Sequence, residues 1–336
     1  MVSLLKTQHI PLSTRISVGL LAGISGLLFG LKFQKLREAI QAGSSSSFHD
    51  IYIPYLQLIP RSTIYYPWVI FTAIFAEISI ITFIFSILVL IISTRYIEKF
   101  WGWKEVIKFI IIIGSITNFG TVLISIISNI IRNDSDSMDL PVGGGISYYF
   151  GFLVVFKQLI PEHNIVLFQG LVNVRVKHLP FTFLIIVILW SIIITRSLYP
   201  VIPSIGSFIT SYTYLRFYQS FLTDPLLPIT TATGDNSNSS LITGDASDTF
   251  QLVEFFPVIL KPYLSIVFDK IYELSVLLGI VTPFNDESVE QSNIRAQKRQ
   301  EQANQAQKSV ANSVAERRRQ VALQVIEDRI NKESTA

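Results

Sequence analysis

Residues 69–92 read VIFTAIFAEISIITFIFSILVLII, an apolar run carrying one charge, Glu77. A helix needs about 20 such residues to cross the hydrocarbon core of a bilayer. The run is therefore read as a membrane span, Val69–Ile92, and the rest of the chain is organised around it. A short turn with Arg95, Glu98, Lys99, Trp101, Gly102 and Lys104 follows, and a second apolar run covers Val106–Ile127. Further runs lie at Ile16–Leu31, Val142–Leu159, Phe181–Ile194 and Val201–Tyr218. Six transmembrane helices are expected, the first of them short, Gly-rich and not a cleaved signal.

Composition agrees. Of 336 residues, 50% are hydrophobic and 15% are charged, where a soluble domain carries about 25% charged residues. The chain has no cysteine, which excludes disulfides, thiolate catalysis, cysteine metal sites and palmitoylation. The net charge of +3 is small, so its placement is what informs. Lys and Arg collect in the turn after the second span and in the loop holding Arg175 and Lys177, whereas the Arg132–Asp139 loop is acidic. The positive-inside rule then puts both termini in the cytosol. Lys32, Lys35 and Arg37 conflict with that orientation. Asn133 opens a glycosylation sequon on the expected lumenal side, where an unused chance match is an equal reading. Tyr52, Tyr55, Tyr65, Tyr66 and Trp68 suit a membrane interface.

The expected organisation is a transmembrane domain over 1–222, a flexible linker over 223–249, amphipathic membrane-associated helices over 250–282 and a polar tail over 283–336. The linker rests on its Thr, Ser, Asn, Gly and Asp content. Residues 250–281 are apolar but broken by Glu254, Pro257, Lys261, Pro262, Asp269, Lys270 and Glu273, which favours one or two amphipathic helices lying on the membrane or against the bundle, with a seventh span as the alternative. In the tail, a helix near 314–330 gathers Val314, Val321, Val325, Ile326 and Ile330 on one face, with Arg317, Arg318 and Arg319 beside it. That cluster suits a partner or an anionic lipid surface, or is simply solvated; nucleic-acid binding is not expected.

Glu77 is the functional candidate inside the spans, since a charge at mid-membrane costs several kcal/mol unless paired or wet. The plainer reading is a structural hydrogen-bond partner for a neighbouring helix. Arg95 and Glu98 at the end of the second span allow a buried hydrogen-bonded turn, or a solvated one. Gly143-Gly144-Gly145 is not a phosphate loop, because no Gly-Lys-Ser/Thr follows. No His and acid spacing suggests a metal site, and no cofactor is expected.

The segment Trp68–Asn118 resembles the span 2–3 hairpin of the rhomboid superfamily, in which Gly-x-x-x-Glu-x-x-x-Gly ends span 2. Glu98 and Gly102 fit that pattern, and Thr94 replaces its first glycine. Later blocks resemble the transmembrane protein 115 family of Golgi membrane proteins. They are GFLVVFKQLIPEH from Gly151, VRVKHLP from Val174, YLRFYQ from Tyr214, FFPVILKP from Phe255 and AERRRQVAL from Ala315. The resemblance implies an all-α, six-helix rhomboid-like bundle with a cytosolic tail. It also implies residence in the Golgi, a part in Golgi-to-ER retrograde transport, membrane-protein cargo, contact with a vesicle-tethering complex, and self-association.

Rhomboid proteolysis needs a serine in span 4, a histidine base in span 6, and His and Asn around the oxyanion in span 2. Here span 4 has Ser147 followed by Tyr148, span 6 has Ser204-Ile205-Gly206-Ser207, and span 2 has Glu77, Thr82 and Ser86. None of the four histidines falls in a span. A serine without a base stays a weakly nucleophilic hydroxyl. The expectation is a pseudo-rhomboid with no catalytic residue, with Ser147 serving helix packing. An intramembrane serine hydrolase and a small-solute transporter are the alternatives.

Overall fold

The computed structural model describes residues 10–43, 47–48, 50–132, 136–161, 164–167, 172–221 and 242–301, together with 304, 305, 316, 319, 320 and 323. It is an all-α membrane bundle carrying two small hairpins. The chain divides into two compact units. One holds the described residues through Val155 plus Pro180–Gln219; the other holds Phe156–Leu179 and the described residues from Ser220 onward.

In the first unit, α1 (Leu12–Gln41), α3 (Ile80–Trp101) and α4 (Trp103–Arg132) are long apolar helices. They are joined by α6 (Ile146–Leu159), α7 (Leu179–Trp190) and α8 (Val201–Thr213). π-helical turns, Ser191–Thr195 and Tyr214–Tyr218, prolong α7 and α8. Against the six expected spans, four helices among the described residues, α1, α3, α4 and α7 with its flanking turns, are long and apolar enough to cross a membrane, and α6 is a shorter apolar helix. Helix α4 packs on α8, α3 and α1, and α1 packs on α3. Helix α6 buries Tyr148, Phe150, Phe152, Val154 and Val155, whereas α7 exposes Phe183, Ile185, Ile186 and Leu189. An apolar side chain facing outward from such a bundle is matched to lipid rather than to water.

Helix α1 carries the charges expected in the first loop. It has 30 residues, about 45 Å at 1.5 Å per residue, against a hydrocarbon core of about 30 Å. Lys32, Lys35 and Arg37 therefore ride on a helical extension of the span. Lys32 is buried, with its ammonium 5.3 Å from the Phe48 ring centroid.

The second span departs from expectation. Val69–Ile92 is not continuous: α2 is one turn, Val69–Thr72, and α3 begins only at Ile80. Ser79 starts α3 as an extended N-cap, its side chain accepting from Ile81 N while Ser79 N donates to Thr82 Oγ1. Backbone freed inside a bilayer must find partners in the protein, and it does. Ala73 O accepts from Gly144 N at 2.8 Å, Phe75 O from Ser25 Oγ at 2.7 Å, and Ile70 O from Asn118 Nδ2 at 3.0 Å. The aromatic loop ahead of the break is stitched to the segment leading into α6. Leu58 pairs with Val142, and Arg61 meets Asp139 at 2.9 Å. Leu58, Val69, Ala73, Val122 and Val142 form a buried cluster there.

In the second unit, β1 (Asn164–Leu167) pairs antiparallel with β2 (Val172–Arg175), and β3 (Ser220–Phe221) with β4 (Ile242–Thr243). Helix α9 (Lys261–Leu277) follows two 3-10 turns at Asp248–Phe250 and Leu252–Phe255. Residues 286–301 are helical again. The end of the expected linker is packed rather than loose: Asp245, Ala246 and Ser247 are buried. Burial against side-chain partners overrides what composition suggested for 242–249.

Candidate functional site

Glu77 is 3% exposed and stands in the break between α2 and α3. Its Oε1 accepts from Gly145 N at 2.8 Å and from the Ser86 hydroxyl, which also meets the Tyr149 hydroxyl. Its own N–H donates to Ser25 Oγ at 3.0 Å. The carboxylate thus ties α3 to the start of α6, and the main-chain N–H of the same residue adds α1. Gly145 N–H is one of the donors a helix leaves unpaired at its start, and an anion there also meets the positive end of the helix dipole. The glycines make room. Gly144 has φ +87°, and a Cβ on it would lie 2.8 Å from Glu77 Oε2. Gly143 is held by Tyr199, whose hydroxyl donates to Gly143 O at 2.8 Å and accepts from Gly143 N at 2.6 Å.

The positions singled out by the rhomboid resemblance are each engaged in local hydrogen bonds or packing. Ser147 is fully buried, and its hydroxyl donates to Gly144 O at 2.9 Å. Ser204 donates to Pro200 O at 2.6 Å. Each hydroxyl is turned back onto a carbonyl three or four residues earlier. Gly206 lets α8 approach α4, where a Cβ would sit 3.5 Å from Thr117 Cγ2. Ser207 Oγ accepts from Gly151 N at 3.2 Å and so fastens α8 to α6. Of the span 2 positions, Ser86 serves Glu77, and Thr82 serves the Ser79 cap.

Glu98 has a second, similar task at the other end of α3. Pro11 stands at the N-cap of α1 and offers no side-chain bond. Glu98 supplies the missing acceptor, taking Ser13 N at 2.9 Å and Leu12 N at 3.3 Å, along with the Ser13 hydroxyl. One turn away, Thr94 and Thr14 share a hydrogen bond of 2.8 Å. Gly102, with φ +78° and ψ +163°, ends α3 in backbone space open essentially to glycine alone. Arg95 is half-buried on the same turn.

Asn133, Arg317 and Arg318 lie outside the described residues, as does most of the expected 314–330 helix; Arg319 is described and exposed. Among the described residues no cluster of His and acidic groups would hold a metal.

Sequence reasoning missed a polar centre in the second unit. Asp245 is 2% exposed, and its Oδ2 accepts from Arg299 at 2.8 Å and from Gln158 at 2.9 Å. Burial alone would raise its pKa, but the Arg299 guanidinium and the hydrogen bonds from Ser247 and Gln158 bring it down to about 2. No spacing signals this trio, since its members are separated by scores of residues.

The family model described as "Eukaryotic integral membrane protein (DUF1751)" matches residues 15–332. The transmembrane protein 115 homolog of Saccharomyces cerevisiae is 32% identical over 340 residues, covering 98% of this chain and 95% of that protein. Rhomboid-like protein 19 of Arabidopsis thaliana is 28% identical over 212 residues, 63% of each chain. Transmembrane protein 115 of Homo sapiens is 24% identical over 260 residues, 74% of this chain and 63% of the human one. No solved structure gives a significant match.

Proposed function

The chain belongs to this eukaryotic integral membrane family, with the transmembrane protein 115 homologues and within the rhomboid-like superfamily, and from that premise we propose that it is a non-catalytic Golgi membrane factor. It serves Golgi-to-ER retrograde transport as a scaffold that binds membrane-protein cargo or a vesicle-tethering complex. Both termini face the cytosol, the tail is the handle for soluble machinery, and copies of the chain associate.

The observation that carries the non-catalytic reading is the state of Ser147. Its hydroxyl is spent on Gly144 O, and Ser204, at the position of the base, is spent on Pro200 O. A serine nucleophile needs a base within about 2.6–3.2 Å. Ser147→Ala, expressed in cells deleted for the protein, is expected to restore the wild-type phenotype fully; failure at normal abundance would overturn the reading. The Golgi role draws on the resembling blocks from Gly151 to Leu323. Proximity labelling from the intact chain tests it, with tethering and coat-recycling proteins expected and their absence counting against it.

One observation favours hydrolysis as a second reading. Glu77 reaches Gly145, two residues before Ser147. Labelling of Ser147 by a serine-directed fluorophosphonate, lost in Ser147→Ala, would support it.

A further inference from the structure

Helix α9 leaves a whole apolar face without a protein partner among the described residues. Tyr263 (73% exposed), Ile266, Val267, Ile271, Leu274, Leu277 (82% exposed) and Leu278 recur at three- and four-residue intervals and so form one stripe, interrupted by Lys270, whose long side chain can carry its ammonium out to the headgroups. No residue of the helix is buried. The opposite side is partly covered: Leu264, Phe268, Tyr272 and Val276 are half-buried, and the Phe268 ring stands 5.6 Å from Phe256.

The start of α9 is fastened to the ends of two spans. The turn Leu252–Phe255 packs against Val176–His178, and Val176 opens the candidate span Val176–Thr195. Phe255 is fully buried, with the Lys157 ammonium 3.4 Å from its ring centroid. Lys157 belongs to the closing turns of α6. Lys261, the first residue of α9, returns to the same turn through Glu254 at 2.6 Å. Within the second unit, the helix therefore begins beside the last turn of α6 and the residues just ahead of α7.

Spanning is disfavoured on two counts. Seventeen residues make about 25 Å of helix, short of the roughly 30 Å core. Asp269, Lys270 and Glu273 would also enter the core, at about 2.5–3.5 kcal/mol each for the Asp and Lys alone on insertion scales. Lying flat costs neither. The charges of α9, Lys261 and Lys270 against Asp269 and Glu273, cancel, so attachment would come from apolar area rather than from anionic headgroups.

We propose that α9 lies in the plane of the bilayer, its Tyr263–Leu278 stripe sunk to the headgroup–acyl boundary and its Asp269 and Glu273 side in water. This reading is independent of the transport role.

The absence of cysteine gives a clean test. Ile266→Cys, Leu274→Cys, Asp269→Cys and Glu273→Cys are made singly in the full chain, labelled with the fluorophore NBD and placed in phosphatidylcholine nanodiscs. Nitroxide is carried on the lipids either near the headgroup or near the chain end. The Ile266 and Leu274 labels are expected to shift blue and lose about half their emission to the shallow nitroxide, and less to the deep one. The Asp269 and Glu273 labels are expected to stay unshifted and unquenched. Deep quenching of all four would make α9 a span and overturn the proposal. Blue-shifted stripe labels that no lipid nitroxide quenches would mean that protein covers the stripe, and unshifted stripe labels would mean water; either also overturns it.

Discussion

Glu77 stands just ahead of α3 and Glu98 in its last turn, and each carboxylate accepts a backbone N–H from the first turn of a different helix. The geometry is alike, but the surroundings are not. Glu77 is buried within the bundle among Ser86, Gly145 and a glycine that fits against it, while Glu98 is half-buried, with its own turn open on one side. Where water is absent, an unpaired donor costs the full desolvation penalty; where water is near, it takes the acid's place. The same capping bond is therefore a keystone at one end of α3 and an adjustment at the other.

Truncation should expose that difference. Glu77→Ala strands Gly145 N–H and leaves the Ser86 hydroxyl only Tyr149, and is expected to lower stability by about 3 kcal/mol, read as a lower unfolding midpoint of the full chain in mild detergent. A loss equal to that of the Glu98 variant would break the contrast. Asp245 offers an aqueous-side control, being an equally buried acid paired with Arg299 instead of a helix start. Its folded pKa, about 2, lies below the ordinary carboxylate value near 4. Its contribution is thus complete above that value and is lost as pH falls toward about 2. Asp245→Asn should cost about 2 kcal/mol near neutral pH, and the gap to wild type should close in acid. A gap constant with pH would remove the charge from the account.

Glu98→Ala uncaps α1 and should cost about 1 kcal/mol, as N-cap losses do. The same midpoint measurement checks it, and Glu98→Gln is expected to recover most of the loss. The smallest effect belongs to Thr94, whose hydroxyl meets Thr14 across the α1–α3 seam. Thr94→Val keeps the shape and should cost about 0.6 kcal/mol, the usual size of an interhelical hydrogen bond in a membrane. A loss above that of Glu98→Ala would shift the anchor of the seam from the acid to the threonines.

Hydropathy made the membrane bundle legible, because its apolar runs are long relative to their charges, and four of its helices are long and apolar enough to cross a membrane. It could not show that Val69–Ile92 breaks. Apolar content does not reveal whether a backbone stays helical, and the Ser79 cap was not read from the sequence. The lone acid was legible as an anomaly, and the structure gives its carboxylate hydrogen bonds from Gly145 N and Ser86. Its actual partners, Ser86, Gly145 and the Tyr149 beyond, were not legible, because 68 residues separate Glu77 from Gly145. Glu98 and Gly102 stood out as a motif, yet the motif does not say that the acid caps a helix begun 85 residues earlier at Ser13. Composition misled at Asp245, where Ser, Asp and Gly neighbours read as linker although the side chain finds Arg299 and Gln158.

The break at Glu77 can hold the bundle together or serve chemistry at Ser147, and Glu77→Gln separates the two. The amide keeps an acceptor for Gly145 N–H but cannot take a proton from a serine. Expressed at normal abundance in cells deleted for the protein, Glu77→Gln is predicted to restore the wild-type phenotype in full. A stable, correctly located Glu77→Gln protein that restores nothing would contradict the structural reading of this carboxylate.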